Sequence, residues 1–181
     1  MYCIRKSIDI DFAHHVRGHG GPCIHVHGHT WKFEVELQAM ELDADGFVVD
    51  FKQLKTSVLQ PCHQLLDHSL AVGGATWKDA EPALRALGAA LLASRLARHG
   101  TIHTTDERVI QLAGAENRYP GGMKVAVFPF SPTSERLAKW LYDAATAALA
   151  DGRVSVRLAR VFETQRPVES VAEYWDADQL G

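Results

Sequence analysis

The sequence predicts an α+β fold, in which an antiparallel β-sheet carries helices on one of its faces. Apolar and polar residues alternate in residues 8–14, 31–37 and 154–164, as they do in strands with one buried side. The segments that follow Asp50 and Ser131 instead carry apolar residues at helical spacing. Strand hairpins and amphipathic helices therefore account for most of the chain.

The composition is that of an ordinary globular protein. Of the 181 residues, 46% are hydrophobic and 23% are charged, and the net charge at pH 7 is −3. This charge gives no electrostatic footprint for nucleic acid or for an anionic membrane. The three cysteines make no disulfide framework, and no apolar stretch is long enough to cross a bilayer. We therefore expect residues 1–181 to form a single cytoplasmic domain.

Histidines are concentrated around the first two predicted strands. The apolar side of the first strand contains Ile8, Ile10 and Phe12. The same alternation places His14 on that side and His15 on the other. His27 and His29 are two residues apart at the start of the second strand, so both rings project from one face. A hairpin would bring His14 opposite them, and three histidines without an obvious fourth protein ligand are typical of an open, catalytic zinc site.

Two alternatives remain open for this region. Six of the ten histidines lie between residues 14 and 29, and such tracts can be solvated loops or adventitious metal binders. Cys23 precedes His27 by four residues and follows Gly-Gly-Pro, which predicts a loop. Its thiol could be a metal ligand or an acid/base group. We expect His19 and His25 to be loop residues.

The first helix is predicted to begin after Asp50, which is a suitable N-cap. Its core-facing stripe is predicted to contain Phe51, Leu54 and Val58. Pro61 is predicted to end or kink it. Asp67 and His68 follow, and a carboxylate beside an imidazole can fix its tautomer for proton transfer. The alternative is a surface pair at the end of a helix.

Residues 71–122 are expected to form an elaboration at the rim, because about 50 residues make only a marginal core alone. A helix is predicted over residues 79–100, with Pro82 in its first turn and Gly100 as its stop. Its apolar face is predicted to contain Leu84, Leu87, Leu91 and Leu92. A short strand over residues 108–113 and a loop over residues 116–122 should follow.

The second long helix is predicted to begin with Ser131 as N-cap and Pro132 at its first position. Its apolar face is predicted to contain Leu137, Trp140, Leu141, Ala144 and Ala148. Thr133 and Ser134 either initiate this helix or bind a polar ligand near its free N–H groups. In the last strand, Glu163 shares a side with Ala159 and Val161. A carboxylate there needs a polar partner unless it lies at a solvated strand end.

An ordered set of motifs resembles the 6-pyruvoyltetrahydropterin and 6-carboxytetrahydropterin synthase family. The set comprises His14, Cys23 with His27-Gly28-His29, Asp50-Phe51, Leu66-Asp67-His68, Pro132-Thr133-Ser134-Glu135 and Glu163-Thr164. The resemblance covers most of residues 4–70 and 123–175. It implies the tunnelling fold, trimeric or hexameric homo-oligomers with shared active sites, and a pterin substrate.

The resemblance also implies the roles of individual residues. His14, His27 and His29 would bind Zn²⁺, whereas Cys23, Asp67 and His68 would be catalytic. The remaining site residues, Glu163, Thr133 and Ser134, would bind the substrate, 7,8-dihydroneopterin triphosphate. The spacing of three residues between Cys23 and His27 resembles that of the carboxy-forming enzymes of queuosine and deazapurine biosynthesis. The alternatives are a pyruvoyl-forming synthase and a non-catalytic zinc- or pterin-binding paralogue.

Overall fold

The computed structural model describes residues 1–99, 107–165 and 167–177 of the chain. Its strands are β1 (Tyr2–His14), β2 (His27–Ala39), β3 (Leu70–Gly73), β4 (Gln111–Leu112), β5 (Ala115–Arg118), β6 (Val125–Phe128), β7 (Val154–Thr164) and β8 (Ser170–Tyr174). Its α-helices are α1 (Phe51–Leu54), α2 (Gln60–Leu66), α3 (Gly74–His99) and α4 (Ser134–Leu149). In this described part of the chain, no helix combines the length and the apolar character that crossing a membrane requires.

The strands form a mixed sheet in the order β4-β5-β6-β3-β1-β2-β7-β8. β3 pairs in parallel with both β1 and β6, whereas β2 with β7 and β7 with β8 are antiparallel. The predicted α+β class is confirmed, but the prediction of a purely antiparallel sheet is wrong. Parallel neighbours need a long crossover connection, and α3 forms part of the one that joins β3 to β6. β3 itself was not predicted, because four residues without polar alternation give no strand signal.

The chain divides into two compact units. The first contains Met1–Asp11, His29–Gln64 and Thr133–Gly181, and the second contains Phe12–Gly28 and Leu65–Pro132. That residues 1–181 act as a single domain remains a prediction.

In the first unit, α4 packs against β7 and β8. The buried side of β2 contains Trp31, Phe33, Val35 and Leu37, as the alternation predicted. The buried residues of α4 are Leu137, Ala138, Trp140, Leu141, Tyr142, Ala144, Ala145 and Leu149. Ala148 is exposed, so that part of the predicted face is wrong. The predicted cap is also wrong: the Thr133 hydroxyl, not that of Ser131, accepts from the Arg136 N–H, and Pro132 lies before the helix.

A β-bulge interrupts the pairing of β2 with β7. Glu36 is opposite Leu158, but Leu37 is opposite Val156, which leaves Arg157 as an additional residue. An inserted residue reverses the alternation of sides along the strand. The buried positions accordingly change from Val154 and Val156 before the bulge to Ala159 and Val161 after it. The predicted continuous alternation from Val154 to Phe162 is therefore wrong, whereas Glu163 does share the side of Ala159 and Val161.

The helical segment after Asp50 is longer than predicted. The Asp50 carboxylate accepts a hydrogen bond from the Lys52 N–H at 2.7 Å, which confirms the predicted N-cap. Leu54 and Val58 are buried, but Phe51 is exposed, so the stripe is only partly correct. Pro61 lies inside α2 and does not end the segment. The irregularity instead precedes it as a π-helical turn, Lys55–Leu59, of the kind that accommodates a local disruption of helical hydrogen bonds.

In the second unit, α3 begins at Gly74, five residues earlier than predicted, so Pro82 is inside the helix and not in its first turn. Gly100, the predicted stop, lies outside the described residues. The predicted loop over residues 116–122 also begins as β5. The predicted leucine face is only half correct, because Leu87 and Leu91 are 50% and 45% exposed. The inward side instead contains Trp77, Leu84, Gly88 and Leu92.

Candidate active site and metal centre

His14 is buried, and it faces the half-buried His27. His14 is 1% exposed, as the phase of β1 predicted, and its Nε2 lies 3.0 Å from Nε2 of His27. His15 points elsewhere and binds the Ile24 carbonyl oxygen through Nδ1.

The hydrogen bonds of these two rings indicate where their protons are. Nδ1 of His14 lies 2.9 Å from the Pro132 carbonyl oxygen, and Nδ1 of His27 lies 2.8 Å from that of His25. A carbonyl oxygen only accepts, so each Nδ1 is assigned as the donor, and each neutral ring presents a lone pair at Nε2. Two lone pairs 3.0 Å apart repel each other unless a proton or another cation lies between them. Two nitrogens bound to one tetrahedral zinc would be about 3.4 Å apart, so the pair fits such an ion.

His29 and Glu163 complete the cluster. Nε2 of His29 lies 3.7 Å from Oε1 of Glu163, and its ring packs edge-on against Trp31. Ligand atoms of His14, His27, His29 and Glu163 all lie within 4.8 Å of one another, a group that could hold a metal ion. The sequence predicted the three histidines but no fourth protein ligand beside them. The clue to Glu163 was its place on the apolar side of its strand, which was interpreted as a substrate contact only.

Next to Glu163 is a cavity of about 520 Å³, lined by His29, Thr30, Glu163, Thr164 and Gln165. The Ser134 hydroxyl donates to Oε2 of Glu163 at 3.3 Å, so the structure brings these two predicted residues together. Thr133 instead caps α4 with its hydroxyl. The structure therefore shows the helix-initiating role for Thr133 and a polar contact within the site for Ser134.

Asp67 and His68 form a hydrogen-bonded pair after α2. Oδ2 of Asp67 lies 2.9 Å from Nδ1 of His68, whose side chain is 82% exposed. The carboxylate accepts from Nδ1, which leaves Nε2 available to exchange a proton. His68 has φ = 57°, in the left-handed region that non-glycine residues rarely adopt. The pair lines a cavity of about 410 Å³ together with residues of α3 and of the segment before β6.

Cys23 lies in a short 3₁₀ turn, Pro22–Ile24, and is half-buried. Its carbonyl oxygen accepts from the Val16 N–H at 3.0 Å, which closes the loop between β1 and β2. The group of four potential metal ligands found among the described residues contains no cysteine. The structure therefore does not support Cys23 as a metal ligand, and its acid/base role stays a prediction.

The chain is similar to known proteins over most of its length. The family model described as 6-pyruvoyl tetrahydropterin synthase matches residues 3–176. A 6-carboxy-5,6,7,8-tetrahydropterin synthase of Haemophilus influenzae is 26% identical over 91% of this chain and 94% of its own length. The enzyme of the same name from Bacillus subtilis is 38% identical, but over only 37% of this chain and 44% of its own length.

Solved structures show the same fold. An uncharacterized protein of Wolinella succinogenes superimposes with a TM-score of 0.67, at 22% identity, over 97% of this chain and 98% of that one. The 6-pyruvoyl tetrahydropterin synthase of Caenorhabditis elegans gives a TM-score of 0.55, at 15% identity, over 97% and 96% of the two chains. Because the family model spans residues 3–176, nearly the whole chain, this protein belongs to the 6-pyruvoyl tetrahydropterin synthase family.

Proposed function

We propose that the protein is a zinc-dependent 6-carboxy-5,6,7,8-tetrahydropterin synthase that acts on 7,8-dihydroneopterin triphosphate. The observation that carries this proposal is the facing pair of Nε2 atoms on His14 and His27, grouped with His29 and Glu163. Relatives that bear this enzyme's name support the choice of reaction.

The metal ligands would be His14, His27 and His29. Zinc bound there supplies a Lewis acid that stabilises negative charge on the side-chain oxygens of the substrate. The carbonyl partners of His14 and His27 keep both rings in the tautomer that a metal requires.

The remaining residues would transfer the proton of the substrate side chain and bind the pterin ring. Cys23 would remove a proton from the substrate side chain as a thiolate, and triphosphate would leave. For the carboxy product, the bond between the first and second side-chain carbons would also break, so that the two outer carbons leave as acetaldehyde and water supplies the second carboxyl oxygen. His68 would accept and return protons at Nε2, because Asp67 engages its Nδ1. Glu163 would accept hydrogen bonds from the pterin ring in the cavity beside His29, with Ser134 holding its other oxygen. Thr133 would help to bind the same substrate beside the backbone N–H groups at the start of α4.

Product identification tests the reaction. The purified protein is incubated with 7,8-dihydroneopterin triphosphate, with zinc and after chelation, and the product is identified by mass. We expect a carboxy product that disappears on chelation and returns with zinc. A pyruvoyl product would assign the related synthase activity, which the family model's name favours. Zinc binding without turnover would identify a binding paralogue.

Cys23→Ala tests the proposed base. We expect the fold and the zinc content to be retained while turnover falls by about 10²–10⁴-fold. Loss of zinc in this variant would make Cys23 a ligand and contradict the role assigned to it. Cys3→Ser is the control, because Cys3 is exposed on the first strand.

Assembly and location are further parts of the proposal. The assembly is what the resemblance to the family implies, and the location is what the cysteine content of the sequence led us to expect. We propose a cytoplasmic homo-oligomer, a trimer or a hexamer with shared active sites, that takes part in queuosine biosynthesis. Light scattering of the purified protein measures the mass. A monomer with full activity would exclude shared sites.

A further inference from the structure

The turn that carries the Asp67–His68 pair is strained and held at several points. The left-handed backbone of His68 is unfavourable for a side chain with a Cβ, so surrounding contacts must maintain it. The Ser69 N–H donates to the Leu66 carbonyl oxygen at 2.9 Å, and the Ala13 N–H donates to that of Ser69 at 3.0 Å. These bonds hold the turn after His68 in place. Neither of them involves the peptide group between Asp67 and His68, which binds another partner.

That partner is Lys124. Its Nζ donates to the carbonyl oxygen of Asp67 at 2.9 Å. Its own carbonyl oxygen accepts from the Leu70 N–H at 3.0 Å, so Lys124 holds the turn from both its main chain and its side chain. The residue directly precedes β6, the strand that pairs in parallel with β3. Lys124 is therefore held in place by the sheet and does not lie on a free loop.

The charge of Lys124 also acts on the pair. Lys124 is half-buried. Burial lowers the pKa of its ammonium group below the ordinary 10.5, while the negative charge of Asp67 opposes that shift. A partly desolvated ammonium is electrostatically stronger than one in water. It therefore stabilises the carboxylate that accepts the hydrogen bond from His68.

We propose that Lys124 is a positioning residue that holds the Asp67–His68 pair in the geometry for proton transfer. It does so by anchoring the Asp67 carbonyl oxygen and by placing a positive charge beside the Asp67 carboxylate. The inference rests on the proposed function of His68. It goes beyond the sequence motifs, because Lys124 lies 56 positions after His68 and belongs to none of them.

The kinetic test uses three variants. Lys124→Met keeps an unbranched side chain of the length of the lysine stem but has no donor, whereas Lys124→Arg keeps the donor and the charge. Lys139→Met is the matched control, because Lys139 pairs with Asp143 on the exposed side of α4. For Lys124→Met we expect kcat to fall by about ten- to a hundredfold, with KM and zinc content unchanged. We expect Lys124→Arg to recover most of that loss and Lys139→Met to behave as wild type.

A second measurement does not depend on turnover. Nitrogen NMR of protein labelled with ¹⁵N-histidine reports which ring nitrogen of His68 carries the proton. We expect the Nδ1–H tautomer in the wild type and a mixture with the Nε2–H tautomer in Lys124→Met. If the wild type does not convert the substrate, the proposed function fails, yet the tautomer still decides the structural inference.

Three results would overturn the proposal. One is a Lys124→Met variant with wild-type kcat and an unchanged His68 tautomer. Another is a rise of KM alone, which would make Lys124 a substrate contact. The third is equal impairment of Lys124→Arg and Lys124→Met, which would show that neither the donor nor the charge matters. Should Lys124→Met not fold, Lys124→Gln, which keeps a polar end, is judged by the same two readouts.

Discussion

His14 and His68 show two ways of preparing an imidazole for chemistry. Both engage Nδ1 and so present Nε2, but His14 is 1% exposed on a strand, whereas the side chain of His68 is 82% exposed on a turn. The partner of His14 is a neutral carbonyl oxygen, and that of His68 is a carboxylate. A neutral, immobile ring suits a metal ligand, whereas a carboxylate favours a ring that can take up a proton. Burial and partner together separate the two roles.

His14→Ala should have the largest effect. Removing one of three nitrogen ligands should lower zinc affinity by more than the ~10–100-fold typical of losing a ligand's supporting partner, and turnover should be lost with it. Zinc is measured by mass spectrometry after dialysis. His15→Ala is the control, because that ring binds the Ile24 carbonyl oxygen outside the cluster. Loss of zinc from His15→Ala would reverse the comparison.

His68→Ala should affect only proton transfer. We expect turnover to fall by about 10²–10⁴-fold while zinc content and melting temperature stay close to wild type, because the exposed ring buries little surface. Steady-state kinetics and metal analysis are made on the same preparation, and added imidazole should restore part of the rate. A variant that loses its metal would place His68 with the ligands.

Glu163→Gln should weaken the binding of the pterin, and this effect should be smaller than the loss of turnover in His68→Ala. A hydrogen bond to a charged group contributes about 1.5–3 kcal/mol, so pterin binding should weaken by roughly ten- to a hundredfold while zinc content stays unchanged. Titration calorimetry and metal analysis of one preparation separate two roles. Because the carboxylate belongs to the group of four, a fall in zinc content would make it a ligand and not a substrate contact.

The same contrast between buried and exposed groups predicts the smallest effect, on the thiols. Burial raises the pKa of Cys62 far above its ordinary 9.0, so this thiol stays protonated in the folded protein. In a thiol assay at about pH 8, Cys3 should react quickly and Cys62 only on unfolding. Because the unfolded thiol ionises first, the contribution of Cys62 to stability is complete below pH 9.0 and falls as the pH rises above it. Rapid modification of native Cys62 would contradict this burial.

The sequence predicted those parts of the site in which side-chain direction follows from local alternation. The phase of β1 placed His14 correctly because apolar neighbours on every second position fix the buried side of a strand. Asp50 was recognised as a cap for the same local reason. The hydrogen bond between Asp67 and His68 was expected only from the family motif, because adjacent residues face each other only where the backbone turns sharply.

The remaining features depend on contacts between distant segments. β3 pairs in parallel with its neighbours because of the crossover connection. The four residues of β3 do not by themselves determine its position in the sheet. Glu163 lies beside His29 because β2 and β7 pair in a particular register. In α3, Leu87 and Leu91 have helical spacing but are exposed. Which side of a helix is buried depends on what packs against it, and here the contact is made at Gly88, whose main chain approaches Pro120 too closely for a Cβ.

The bulge at Arg157 makes the site sensitive to insertions and deletions in β7. Deleting Arg157 would restore a single alternation of sides along the strand. If the packing of Val154 and Val156 were preserved, Glu163 would then turn to the opposite side of the sheet, away from His29. The number of residues that separates Val156 from Glu163 therefore decides on which side of the sheet Glu163 lies, and an inserted or deleted codon there would move its carboxylate away from His29.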